Sequence, residues 1–209
     1  MALATYSDLK STVADWLNRQ DLTSVIPSFI SLAEAGFNKN EELRLKPSIV
    51  RATATFDGQY EALPSDYLEM LNLTVDVSGE TKKLQFLTMN QMDNYRAAFT
   101  SPNVPKYYSI VGGQLELLPT PPSPGYTAEM VYYAKIPALS DSNTTNWLLT
   151  AHPDVYLYGT LIQSAPYLRD DERIATWSTL FTKAVEDAHA ADDRALFAGA
   201  VLKARAKPF

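Results

Sequence analysis

Polar and apolar positions recur with two different periods along this 209-residue chain, and the period changes twice. Up to about residue 47 the apolar positions return every three or four residues, which is the spacing of one helix face. Leu9, Val13, Trp16 and Leu17 form the first stripe. Thr5 and Asp8 ahead of it have the spacing of a capping box, and the helix is expected to end near Asn18. Ser24 is the expected cap of a second helix, with Pro27 in its first turn and Ile26, Phe29, Ile30, Ala33 and Phe37 as its buried stripe. Two short helices joined by a few residues predict an antiparallel hairpin.

At about Ser48 the period drops to two. Ile49 to Phe56 alternates and runs into Asp57-Gly58, read as a tight hairpin turn returning through Gln59 to Leu63. Pro64 to Leu68 is expected to form one helical turn, and Leu71 to Val77 a strand that turns at Ser78-Gly79 into Lys82 to Leu87. Thr88 and Gln91 repeat the capping-box spacing and start a helix through Met92, Tyr95 and Phe99, which Pro102 stops. Tyr107 to Val111, Gly112-Gly113 and Gln114 to Leu118 make a second hairpin, and Thr127 to Lys135 the last strand. Six or seven strands between residues 48 and 137 suffice for a small antiparallel sandwich or partly open barrel.

The helical period then returns. Val155, Tyr158, Ile162 and Ala165 share one face between Pro153 and Pro166. Asp170-Asp171-Glu172 launches a longer helix in which Ile174, Trp177, Phe181, Ala184, Val185, Ala188, Ala191 and Ala195 form the stripe. The pattern predicts an α+β chain in which helices and strands are segregated. Residues 1–47 and 138–197 form the helical scaffold, 48–137 an inserted β-rich lobe and 198–209 a tail.

Composition narrows the chemistry more than it suggests any. Eighteen Lys and Arg against 24 Asp and Glu leave a net charge of −6, which offers no bulk attraction to phosphate backbones or anionic lipid. With no cysteine, disulfides, thiolate metal sites and thiol nucleophiles are excluded together. The start MALATYSDLK lacks the long apolar run of a signal peptide, and no stretch is long and apolar enough for a membrane span, so the chain reads as made in the cytoplasm. Of the two histidines, His189 falls on an acidic helix surface and His152 precedes Pro153 at a helix start, so neither reads as catalytic. Gly112-Gly113 opens no helix and is no phosphate loop, and a G-x-S-x-G elbow is absent. Asp170-Asp171-Glu172 is explained by helix-start electrostatics, and Asp192-Asp193 by a solvated helix face. No catalytic residue, metal site or cofactor is expected.

Two features point to binding. Tyr107-Tyr108 and Tyr132-Tyr133 each place a ring on both faces of a strand, one of them core and the other exposed or covered, which makes the four residues a candidate subunit or tail interface. Cross-strand aromatic packing is the alternative explanation, of about equal weight. The tail reverses the charge of the rest of the chain, with Lys203, Arg205 and Lys207 ahead of a terminal Phe209 and no acidic residue.

Thr145 to Leu149, Pro153 to Gly159 and Ala165 to Arg173 followed by Trp177, together with Tyr6-Ser7-Asp8-Leu9 and Trp16-Leu17 near the start, resemble the head-to-tail adaptor proteins of tailed bacteriophages, a group similar to tail tubular protein A. That resemblance implies a non-enzymatic virion protein of the neck. It implies a ring, of twelve copies in that family, that docks on the portal, extends the DNA channel and carries a downstream tail or nozzle protein. Genomic DNA would pass through without specific binding, and no membrane is involved. It also implies that the C-terminal arm reaches the portal, giving Lys203, Arg205, Lys207 and Phe209 a docking role. The alternative reading is a β-domain that binds a glycan or peptide without catalysis; a hydrolase comes third, lacking any constellation of residues to carry it.

Overall fold

The computed structural model describes residues 3–168 and 172–197, apart from the side chains of Leu196 and Phe197. The chain divides into two compact units, one formed by the segments up to Pro47 and from Ile136, the other by Ser48–Lys135.

In the helical unit, α1 (Tyr6–Leu17) begins at the expected box: Thr5 Oγ1 accepts the Asp8 N–H at 3.2 Å and Asp8 Oδ2 accepts the Thr5 N–H at 3.0 Å. Asn18 ends the helix in the left-handed region, which asparagine tolerates. Trp16 leaves the expected stripe, with 45% of its surface exposed and its ring edge-on to Tyr158. Helix α2 (Ile26–Phe37) is capped at Val25 and not at Ser24. A short 3-10 turn at Gln20–Leu22 feeds it, and the Val25 N–H bonds back to Leu22, so backbone geometry replaces the side-chain cap.

Residues 88–99 belong to the other unit and contain α3 (Met89–Arg96). The helical unit resumes with α4 (Trp147–Ala151), α5 (Pro153–Leu168) and α6 (Ile174–Phe197). Helix α5 departs from its expected single face. Val155, Tyr156, Leu157, Gly159, Thr160, Leu161, Ser164 and Ala165 bury most of its circumference, whereas Tyr158 and Ile162 are only half-buried. It is the central helix, packed against α1, α2, α4 and α6. Its small residues allow that approach: a Cβ placed on Gly159 would lie 2.6 Å from the Phe37 ring, which is stacked on Phe181 and edge-on to Tyr156. On α6 the stripe holds at Trp177, Ala184, Val185 and Ala188, but Ile174, Ala191 and Ala195 are exposed.

The β unit holds eight strands in two four-stranded sheets that share one core, including Phe56, Leu73, Val75, Tyr108, Leu115, Leu117 and Met130. One sheet runs β1 (Ile49–Phe56), β8 (Tyr126–Ala134), β3 (Tyr67–Val77), β4 (Glu80–Lys83). The other runs β2 (Tyr60–Ala62), β7 (Gln114–Leu118), β6 (Tyr107–Val111), β5 (Gln85–Phe86). The hairpins at Ser78-Gly79 and Gly112-Gly113 have the positive φ values (57°, 87°, 59° and 82°) that two-residue turns require. Asp57-Gly58 is not a hairpin turn. All of β1 pairs with β8, and β2 joins β7 in the opposite sheet. Glu61 Oε1 accepts the N–H groups of both Asp57 and Gly58 at 2.9 Å, so a side chain, and not a strand ladder, shapes this corner between sheets. The strand expected over Lys82 to Leu87 also splits: Leu84 bonds back to Leu73, and β5 crosses to pair in parallel with β6. Pro64 to Leu68 makes only a tight turn closed by the Tyr67 N–H on Pro64, and β3 starts at Tyr67.

The Phe37 contact separates two glycines that both lie within helices. Gly159→Ala is expected to destabilise the protein by about 1–3 kcal/mol through overpacking. Gly36→Ala meets nothing within 4 Å and is expected to be neutral or stabilising by up to about 1 kcal/mol. Thermal or urea unfolding of the two variants measures the difference.

Candidate interaction surface

His189 lies on exposed α6 surface, 3.5 Å from Asp193, and His152 ends α4 with its N–H on Leu148. Asp154 Oδ1 accepts the adjacent Val155 N–H at 3.0 Å. Among the described residues no group of three or more His, Cys, Asp or Glu could hold a metal ion. Of the acidic run expected to launch α6, Asp170 and Asp171 lie outside the described residues.

Among the described residues two carboxylates are buried, Glu34 and Glu116. Glu34 on α2 accepts the Leu139 N–H at 2.8 Å and the Tyr156 hydroxyl at 3.1 Å. Asn146 donates its amide to the Tyr156 oxygen at 2.6 Å and to the Pro137 carbonyl at 2.7 Å, while its Oδ1 caps α4 through the Leu149 N–H at 2.8 Å. Asn38 Oδ1 takes the Ile136 N–H at 2.9 Å. Burial raises the Glu34 carboxyl above its ordinary range against the lowering effect of its two donors, and burial, then the neighbouring carboxylate, raises the Tyr156 phenol. This network brackets the returning chain onto α2. The sequence hid Glu34 as a polar position within an apolar stripe; a carboxylate at a buried helical position is the signal that marks such a residue.

The second, Glu116 on β7, is met by Arg96 Nη1 at 2.7 Å and Gln59 Nε2 at 3.1 Å. Arg96 also reaches Asp93 at 3.1 Å. Its hydrogen bonds to Asp93 and Glu116 hold the guanidinium charged, well above its ordinary range. The pair joins α3 to the sheet, where Leu87, Met92, Leu118, Phe99 and Tyr107 pack together.

The four singled-out tyrosines do not form one surface. Tyr107 and Tyr108 belong to one sheet, Tyr132 and Tyr133 to the other. Tyr108 is buried edge-on to Phe86. Tyr132 is buried, its hydroxyl donating to Asp66 at 2.9 Å, and burial with that bond pushes its phenol up to about 12. Tyr107 packs against Tyr95 and Phe99, and Tyr133 is half-buried opposite Ile49 and Glu69. Alternation therefore places one ring of each pair in the core. The aromatic residues most exposed on this unit are Tyr60, Phe86 and Tyr95. The sequence did not single out Tyr60 or Phe86, because their strands switch sheets and only the distant pairing decides which face they present. Lys203, Arg205, Lys207 and Phe209 of the tail lie outside the described residues.

The Glu34 network has a pH signature. A carboxyl raised in the folded state adds stability below its unfolded pKa and loses it as pH rises through the folded value. Glu34→Gln is therefore expected to gain stability relative to the parent as pH rises from about 4 to about 7, measured by urea unfolding at each pH. Asn146→Ala removes a helix cap, leaving the buried Leu149 N–H unpaired, and breaks the amide bonds to Tyr156 and Pro137; the same measurement is expected to show a loss of about 2–4 kcal/mol.

No helix among the described residues is long and apolar enough to cross a membrane. No curated protein matches the chain. The family model described as SU10 adaptor protein matches residues 4–203, spanning segments of both compact units. A match over that length, on an α+β chain whose buried polar residues serve packing, shows that the chain belongs to this family of bacteriophage head–tail adaptor proteins, structural components of the virion.

Proposed function

We propose that the protein assembles as a ring, of twelve copies by family resemblance, at the neck of the virion. The ring docks on the portal, extends the DNA channel and presents a platform to a downstream tail or nozzle protein. The observation that carries this reading is the family match over residues 4–203. The charge of −6 supports it physically, since an acidic channel wall repels the phosphate backbone and lets duplex DNA slide without specific binding. A closed ring needs two different side surfaces on each copy, and the exposed residues Tyr60, Phe86 and Tyr95 offer apolar area for such a heterologous contact. The tail carries the opposite charge to the rest of the chain, so Lys203, Arg205 and Lys207 steer docking and Phe209 anchors it at the portal.

Electron microscopy of the purified protein, alone and mixed with portal-bearing capsids, tests the assembly. Rings or portal caps are expected, and monomers in both samples overturn the reading. Deleting residues 198–209 is expected to abolish attachment to portal-bearing capsids in a pull-down, with the melting temperature unchanged; undiminished attachment removes the docking role of the tail.

A further inference from the structure

The two sheets have four edge strands, and three of them are poor templates for another chain. Strand β2 has three residues and β5 two, and β4 has four, two of which are Lys82 and Lys83. Short edges and edge lysines are the usual means of preventing strand addition. Strand β1 has neither protection. Eight consecutive residues pair with β8 without a bulge, and no other strand among the described residues pairs with the far side. At about 3.3 Å per residue this is an open main-chain template roughly 26 Å long. Its side chains divide into two rows: Ile49, Arg51, Thr53 and Thr55 are exposed, while Val50, Ala52 and Ala54 are half-buried at the margin of the core.

We propose that the free edge of β1 is a strand-addition site for an extended segment of another protein, with apolar side chains on one face and an acidic residue on the other. Main-chain hydrogen bonds supply the affinity and the two rows supply the specificity. Alanines at positions 52 and 54 leave space beside the core for larger branched side chains of the incoming strand. Arg51 is the single charge on β1; its side chain is 69% exposed, and its one ion pair among the described residues is with Glu129 at 3.5 Å. The guanidinium has donors to spare for a second carboxylate. Charge decides against two other occupants. The chain's own tail would bring Lys203, Arg205 and Lys207 beside Arg51, and a second copy's β1 contains no acidic residue to meet it. The site concerns one protomer and one partner strand, so it does not rest on the ring.

The test uses the full-length protein and a synthetic strand-length peptide alternating valine with threonine and glutamate, beside its twin with lysine for glutamate. Fluorescence anisotropy reads affinity, and amide hydrogen exchange reads location. The acidic peptide is expected to bind more tightly and to slow exchange at residues 49–56. Arg51→Glu, a change at an exposed side chain, is expected to reverse the preference, shifting the ratio of the two affinities by about tenfold. Ala52→Lys, which points a charge along the margin of the core, is expected to abolish binding of both. Failure of both peptides to bind overturns the proposal, as does binding whose preference Arg51→Glu leaves unchanged. Two further results overturn it by naming a different occupant: protection of 49–56 that disappears on deleting 198–209, or a sedimenting dimer that Ala52→Lys dissociates.

Discussion

A buried carboxylate governs the helical unit. That unit is assembled from two stretches of sequence separated by a whole β-rich lobe, so the returning chain must be fastened to the first helices by contacts that sequence proximity cannot supply. Glu34 does this by accepting the Leu139 N–H and the Tyr156 hydroxyl, with Asn146 and Asn38 completing the bracket. Residues 136–146 form an irregular segment whose backbone donors, left buried and unpaired, would each cost a hydrogen bond's worth of desolvation. The bracket takes up those of Ile136 and Leu139, and the central helix α5 packs against α1, α2, α4 and α6. Phe37 sits in the same place from the apolar side, between the Tyr156 and Phe181 rings.

The β unit solves its own assembly differently. A chain that changes sheets four times, after Phe56, between β2 and β3, at Leu84 and between β7 and β8, ties the two layers together covalently. The corner between β1 and β2 is shaped by Glu61, and the one between β4 and β5 by Leu84 bonding back to β3. On the second sheet α3 is held by the ion pair between Arg96 and buried Glu116. These arrangements use the chain's buried charges for structure, which suits a protein whose role is to be a shaped part of a larger assembly.

Much of the fold was legible because its signals are local. The Thr5–Asp8 and Thr88–Gln91 boxes, Asn18 as a stop, and the hairpins at Ser78-Gly79 and Gly112-Gly113 depend on residues three or four apart, and each is present in the structure. Sheet membership was not legible at Asp57-Gly58 or Leu84, because the same local residues serve a hairpin or a crossover and only distant pairing distinguishes them. The burial of α5 was also hidden, since a helix surrounded on several sides loses the one-sided stripe that periodicity detects. The tyrosine pairs show the same limit: alternation says that one ring of each is buried, but the strand order decides that the other two occupy different sheets.

The sequence by itself determined the segregation of helices from strands, the capping boxes at Thr5 and Thr88, the hairpin turns at Ser78-Gly79 and Gly112-Gly113, the absence of thiol chemistry and the acidic balance with its reversal in the tail. These follow from composition and from contacts within one turn or one hairpin. Tertiary structure alone decided which carboxylates are buried, which strands share a sheet and which edge is left open. Those outcomes are set by residues far apart in the chain, as when Glu34 meets Tyr156 and Ile49 meets Tyr133, and no local pattern encodes such a meeting.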